Sequence, residues 1–172
     1  MAFDTTSKNS NLGLIHFVRD YLADYGIEST LFHDETGEKA NLLATIGPKG
    51  VPGIALSGHT DVVPALETTW VSPAFELTER DGKLFGRGSA DMKGFSACVL
   101  AMIPELVKRD LAIPFHLCLS YDEEVGCIGV GSMVDYLAAM DTPPRLAVIG
   151  EPTDMKVING QKGKYSMRVA VT

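Results

Sequence analysis

Gly53-Ile54-Ala55-Leu56-Ser57-Gly58-His59-Thr60-Asp61 is a short apolar run that closes on polar residues. Residues 53–57 read as a buried strand, and Gly58-His59-Thr60-Asp61 as its carboxyl end. On the amino-terminal side, residues 40–46 predict a second strand, closed by the turn signal Gly47-Pro48-Lys49-Gly50, and residues 28–33 a third. Before these, Leu14, Val18, Leu22 and Tyr25 recur at helical spacing and predict a helix over 11–25. Ser10 or Asn11 is the candidate cap at its start, and Gly26 follows its end.

On the carboxyl-terminal side, residues 62–82 look irregular, with Pro64 and Pro73. A glycine-rich loop over 84–94 then feeds a helix over 93–108, which Pro104 should kink or end early. Residues 114–121 alternate Phe115, Leu117, Leu119 and Tyr121 and predict a strand ending in Asp122-Glu123-Glu124. A helix over 129–140 and a short buried strand over 146–149 follow, the strand ending in Gly150-Glu151-Pro152-Thr153. Helices alternating with strands predict an α/β fold, a central mostly parallel or mixed sheet flanked by helices. Residues 156–159 and 165–171 predict two further strands around Gly160-Gln161-Lys162-Gly163. The sequence stops at Thr172 inside the second of these, so a truncated chain is expected.

Composition narrows the function. The 172 residues are 45% hydrophobic and 22% charged, an ordinary globular balance. A net charge of −7 without a Lys/Arg cluster argues against nucleic acid and anionic membranes as partners. No apolar run approaches the roughly 18 residues of a membrane helix. The start, MAFDTTSKNSN, lacks the basic and apolar regions of a signal peptide. Cys98, Cys118 and Cys127 cannot all pair and show no CxxC spacing, so free thiols in a cytoplasmic protein are expected.

The predicted strands end in His59 and Asp61, in Glu123 and Glu124, and in Glu151, while Asp91 precedes a helix. In open α/β sheets ligands bind beyond the carboxyl ends of the strands, so these residues can share one cleft. Imidazole with several carboxylates suits Zn²⁺, Mn²⁺ or Co²⁺, and a carboxylate can bridge two ions. Each residue alone has a plainer reading: a structural histidine, a solvated acidic edge, a charged helix start or a turn. Gly86-Arg87-Gly88 alone would suit a phosphate-binding α/β module, but that leaves His59, Glu123, Glu124 and Glu151 unexplained. His16, His33 and His116 fall on a helix face or within strands and read as structural or surface residues.

Four segments in order are more specific than any of these parts. They are Ser57-Gly58-His59-Thr60-Asp61-Val62-Val63-Pro64, Gly86-Arg87-Gly88-Ser89-Ala90-Asp91-Met92-Lys93-Gly94, Asp122-Glu123-Glu124-Val125-Gly126 and Gly150-Glu151-Pro152-Thr153. Together they resemble the family of two-zinc exopeptidases and deacylases over nearly the whole chain. Phe3-Asp4-Thr5-Thr6-Ser7, Tyr121-Asp122-Glu123-Glu124-Val125-Gly126-Cys127 and Asn159-Gly160-Gln161-Lys162-Gly163-Lys164 point to its acetylornithine-deacetylating branch.

The resemblance implies a zinc-exopeptidase-like fold and a metal-dependent amidohydrolase that deacetylates N-acetylornithine in arginine biosynthesis. Succinyl-diaminopimelate desuccinylase, or another N-acyl-amino-acid hydrolase, is the alternative within the class. A non-catalytic metal-binding fragment is the alternative outside it. By the same resemblance His59, Asp91 and Glu151 bind the first ion, Asp91 bridges, and Glu124 binds the second. Asp61 orients the imidazole, and Glu123 is the general base. The resemblance also implies a homodimer formed through an inserted lid domain, and a later histidine for the second ion. No histidine follows Glu151. Residues 1–157 are therefore expected to be a partial catalytic domain and 158–172 the start of the lid or dimerisation domain. One Zn²⁺, Co²⁺ or Mn²⁺ ion is expected here rather than two.

Overall fold

A computed structural model describes residues 1–66, 69–160, 162–163, 167 and 169–170. The elements run α1 (Leu12–Ala23), β1 (Ser29–His33), β2 (Ala40–Ile46), β3 (Ile54–His59), β4 (Thr78–Arg80), β5 (Lys83–Phe85), α2 (Lys93–Leu106), β6 (Phe115–Ser120), α3 (Gly131–Ala138) and β7 (Leu146–Ile149). Five strands form a mixed sheet in the order β1-β2-β6-β3-β7. β1 and β2 pair antiparallel, as do β2 and β6, while β3 is parallel to both β6 and β7. This is the expected α/β architecture. Among the described residues no helix is long and apolar enough to cross a membrane.

Strand alternation divides the core. Ala40, Leu42, Ala44 and Ile46 of β2, with Leu117 and Leu119 of β6, meet Ile15, Val18 and Leu22 of α1 and Val99 and Ile103 of α2. Leu43, Ala55 and Cys118 face the other way and pack with Met133 of α3. The route from β3 through α2 to β6 runs in the opposite direction across the sheet from that through α3 to β7. Right-handed crossovers then require the two helices on opposite faces. The winding reverses beside β3, which makes its carboxyl end a place for a ligand crevice.

Several elements depart from the sequence reading. The buried stripe of α1 is Ile15, Val18 and Leu22; Tyr25 lies beyond the helix and is exposed. Asn11 does not cap α1 with its side chain. Its buried amide instead donates to the Ala40 carbonyl and to Thr60 Oγ1, both at 2.9 Å, and accepts from Ala40 N–H at 3.0 Å. The segment expected to be irregular gives way to a small hairpin, β4 and β5, turning at Asp81 and Gly82 with positive φ at both. α2 runs through Pro104 and ends two residues later. The carbonyl that Pro104 leaves without a helical donor, that of Leu100, accepts from Tyr21 Oη at 3.1 Å. β7 is exposed rather than buried, because it forms the outer strand of the described sheet. Residues 156–159 are not a strand, and the strand expected over 165–171 lies largely outside the described residues.

Candidate metal centre

Register brings the site together. His59, the last residue of β3, is paired with Ser120, the last of β6, so Glu123 and Glu124 lie just beyond the same end of the sheet. Ser57 of β3 is paired with Ile149 of β7, which puts Glu151 level with His59. Asp91 stands just ahead of α2, and its peptide bond to Met92 is cis.

His59 is 2% exposed and its Nε2 faces the carboxylates. Asp91 Oδ1 lies 3.0 Å from that nitrogen, Glu151 Oε1 3.5 Å and Glu123 Oε2 3.7 Å. Two groups have ligand atoms within 4.8 Å of one another: His59 with Glu123 and Glu151, and His59 with Asp91 and Glu124. All five metal or base candidates from the sequence therefore converge. The grouping differs from the expected one, in which Asp91 and Glu151 share an ion with His59 while Glu123 stays free.

The other imidazole nitrogen, Nδ1, is 2.8 Å from the main-chain oxygen of Asp61. The Asp61 carboxylate is farther away, at 3.5 Å. It accepts instead from Ser7 Oγ at 2.7 Å and from the N–H groups of Glu123 and Glu124 at 3.1 and 3.2 Å. A donor bond from Nδ1–H to the Asp61 carbonyl leaves Nε2 as the ligating lone pair. Cys127 Sγ lies 3.5 Å from Glu123 Oε1, opposite the oxygen that faces His59. The sequence reading did not single out Ser7 or Cys127 individually, because both act through contacts that local pattern does not encode.

Burial alone would lower the His59 pKa. The side chain, carbonyl and charge of Asp61, together with the charge of Glu123, outweigh burial and hold it at about 9. Burial, then the charge of Asp91, raises the pKa of Glu124 and of Glu151. Burial opposes ionisation of Asp61 too, but the nearby His59 imidazole, the Ser7 hydroxyl and the two glutamate amides lower its pKa.

Among the described residues, no lysine or arginine forms an ion pair with Asp91, Glu123, Glu124 or Glu151. One imidazole nitrogen and several carboxylate oxygens, short of a cation and open to solvent at Asp91, fit a borderline or hard divalent ion. Ligand atoms about 3.4 Å apart are what a tetrahedral zinc of ordinary bond length requires. A cavity of about 950 Å³ lies elsewhere, lined by Gly47, Pro114, His116 and Leu111 among others at the amino ends of β3 and β6. None of the five candidates lines it.

A mixed α/β sheet thus gathers one imidazole and several carboxylates at the carboxyl ends of its parallel strands, a donor set that can hold a divalent metal ion. Residues 55–166 match the model of peptidase family M20/M25/M40, and the chain belongs to that family. It is 38% identical over 173 residues to an acetylornithine deacetylase of Proteus mirabilis and 36% identical over 172 residues to one of Pasteurella multocida. These matches cover 99% of this chain but 43% and 44% of the relatives, so the chain spans less than half of their length. Human carnosine dipeptidase 1 has a similar structure, with a TM-score of 0.69 and 25% identity over 86% of this chain and 36% of its own.

Proposed function

We propose that this chain is the metal-binding part of an amidohydrolase that removes the acyl group from an N-acyl amino acid, N-acetylornithine foremost. The observation that carries the reading is the placement of three carboxylates within 3.7 Å of one imidazole nitrogen, with no lysine or arginine paired to them among the described residues. The choice of acetylornithine draws on the relatives' names.

In this reading His59, Asp91 and Glu151 would hold the one divalent ion of this chain, and Asp91 with Glu124 would contribute to a second ion only in a full-length enzyme. Zn²⁺, Co²⁺ and Mn²⁺ suit the donor set. A bound ion lowers the pKa of water and polarises the amide carbonyl. Glu123 receives the proton of the attacking water and passes it to the leaving amine. The Asp61 carbonyl fixes the imidazole tautomer, and its carboxylate fixes the loop that carries Glu123 and Glu124.

Residues 1–157 are then part of the catalytic domain, and 158–172 lead into a lid or dimerisation domain through which the enzyme pairs with a second copy. Arginine biosynthesis in the cytoplasm is the corresponding setting. Calorimetry tests the reading: the chain should bind Zn²⁺, and the zinc-loaded chain should bind N-acetylornithine more tightly than N-succinyl-diaminopimelate. Failure to bind Zn²⁺, Co²⁺ or Mn²⁺ would refute the metal centre. The reverse ligand preference would select the desuccinylase.

A further inference from the structure

One ammonium group outside the cluster ties together the segments that carry it. Lys39, just before β2, donates from Nζ to Asp122 Oδ1 and to the main-chain oxygen of Ser7, both at 2.6 Å. Its side chain is 17% exposed and that of Asp122 11%. The Tyr121 ring centroid lies 6.0 Å from the same nitrogen. The lysine backbone is fixed as well: its N–H donates to Asp34 Oδ1 at 3.1 Å and its carbonyl accepts from Asp34 N–H at 3.0 Å.

Asp122 has φ +57°, a conformation that aspartate and asparagine tolerate better than most residues. From that turn the N–H groups of Glu123 and Glu124 reach the Asp61 carboxylate, which also accepts from Ser7 Oγ. The contacts close a ring: Lys39 to Asp122, the next two amides to Asp61, Asp61 to Ser7, and Ser7 back to Lys39. Lys39 is the cation of that ring, and both of its bonds are of the short, charge-assisted kind.

We propose that Lys39 is the positioning residue for the Glu123–Glu124 pair. By closing the ring it fixes where the β6 turn, with its two carboxylates, stands relative to His59 at the end of β3. Lys39 forms no hydrogen bond or ion pair with His59, Asp91 or Glu151. Its role rests on the reading of that cluster as a metal centre.

Two variants of this chain test the proposal. Lys39→Met removes the ammonium and keeps most of the stem. It leaves the Asp122 charge buried and unpaired, which can itself cost stability. Asp122→Asn is the safer companion, because asparagine accepts the left-handed backbone and is neutral. Amide hydrogen exchange, followed by NMR without metal, should be about tenfold faster at Glu123 and Glu124 in both variants, with the β2–β6 ladder unchanged. Zn²⁺ should bind about tenfold more weakly, the range seen when groups supporting a metal ligand are lost. Unchanged exchange at the two amides in both variants overturns the proposal. So does exchange that rises equally along the β2–β6 ladder, since Lys39 would then only hold the fold. If the unaltered chain binds no zinc, the metal centre falls, and the exchange measurement still decides the role of Lys39.

Discussion

β6 and β7 each deliver glutamate to the same imidazole, yet the two strand ends are held very differently. Beyond β6, the Ser120 carbonyl accepts from both the N–H and the Oγ of Thr60, each at 2.8 Å. Tyr121 N–H donates to the buried side chain of Asn41, and the next three residues are tied to Lys39 and Asp61. Beyond β7, Gly150 N–H donates to the Ser57 carbonyl at 3.0 Å, and Phe95 fills the space that a side chain at Gly150 would need. β6 lies between two strands and is almost wholly buried, whereas β7 has one strand neighbour in the described sheet and is exposed along its length. The contrast suggests a rigid arm bearing the carboxylate pair and a loosely held arm bearing Glu151.

The two glutamates of the rigid arm give the largest expected effect. In a full-length deacetylase, the change corresponding to Glu123→Gln should keep the metal content and lower turnover about a hundredfold or more, through loss of proton transfer. The change corresponding to Glu124→Gln should instead lower metal content. An emptied site in the first variant and a full one in the second would exchange the two roles. Next in size is the stability contrast between the arms. Leu117 in β6 is fully buried, so Leu117→Ala should cost about 2–5 kcal/mol in urea unfolding. Val148 in β7 is 43% exposed, and Val148→Ala should cost less than about 1 kcal/mol. Equal losses would remove the distinction between the arms.

The rigid arm was also the more legible in sequence. Strong alternation from Phe115 to Tyr121 located β6, and the polar residues after each strand located the cluster. That worked because a parallel sheet brings the carboxyl ends of its strands together. The same short apolar pattern misjudged β7, since periodicity does not distinguish an outer strand from a central one. The β4–β5 hairpin escaped because three-residue strands are too short to set a period, although Asp81-Gly82 was a usable turn signal. The Lys39 to Asp122 contact spans 83 residues and leaves no local trace. Asp61 was recognised as the partner of the imidazole, but which of its oxygens reaches Nδ1 depends on backbone geometry.

Acidity offers a smaller effect that probes the centre where the arms meet. Folding raises the His59 pKa from the usual 6.5 to about 9. A raised pKa means that the folded state binds the proton more tightly, so this stabilisation is complete below about pH 6.5 and fades as pH rises through 9. In metal-free protein, the stability advantage over His59→Gln should therefore shrink between pH 6.5 and 9, as followed by urea unfolding at several pH values. An advantage that grew with pH would contradict the imidazolium–carboxylate pairing. Zinc must displace the same proton, so its affinity should rise with pH over that range. Its stoichiometry should be one, because both ligand groups depend on the single Nε2 of His59.

The smallest effect lies on α2, the helix that follows Asp91 and supports both arms from one face of the sheet. Pro104 has no N–H to give the Leu100 carbonyl, and Tyr21 Oη takes that place at 3.1 Å. Tyr21→Phe keeps the ring and deletes the donor, leaving a partly buried carbonyl unsatisfied by protein. Loss of one neutral hydrogen bond of this kind costs about 0.5–1.5 kcal/mol. Replacing Pro104 with alanine in the same background restores a helical N–H for Leu100 and should recover much of that loss, although it also changes the freedom of the unfolded chain. Zinc affinity should stay unchanged throughout, because Leu100 lies about two turns into α2, which starts beyond Asp91. A Tyr21→Phe variant that unfolds like the unaltered protein would show that water satisfies the carbonyl equally well. A variant that loses zinc would show that the far end of α2 helps to set the position of Asp91.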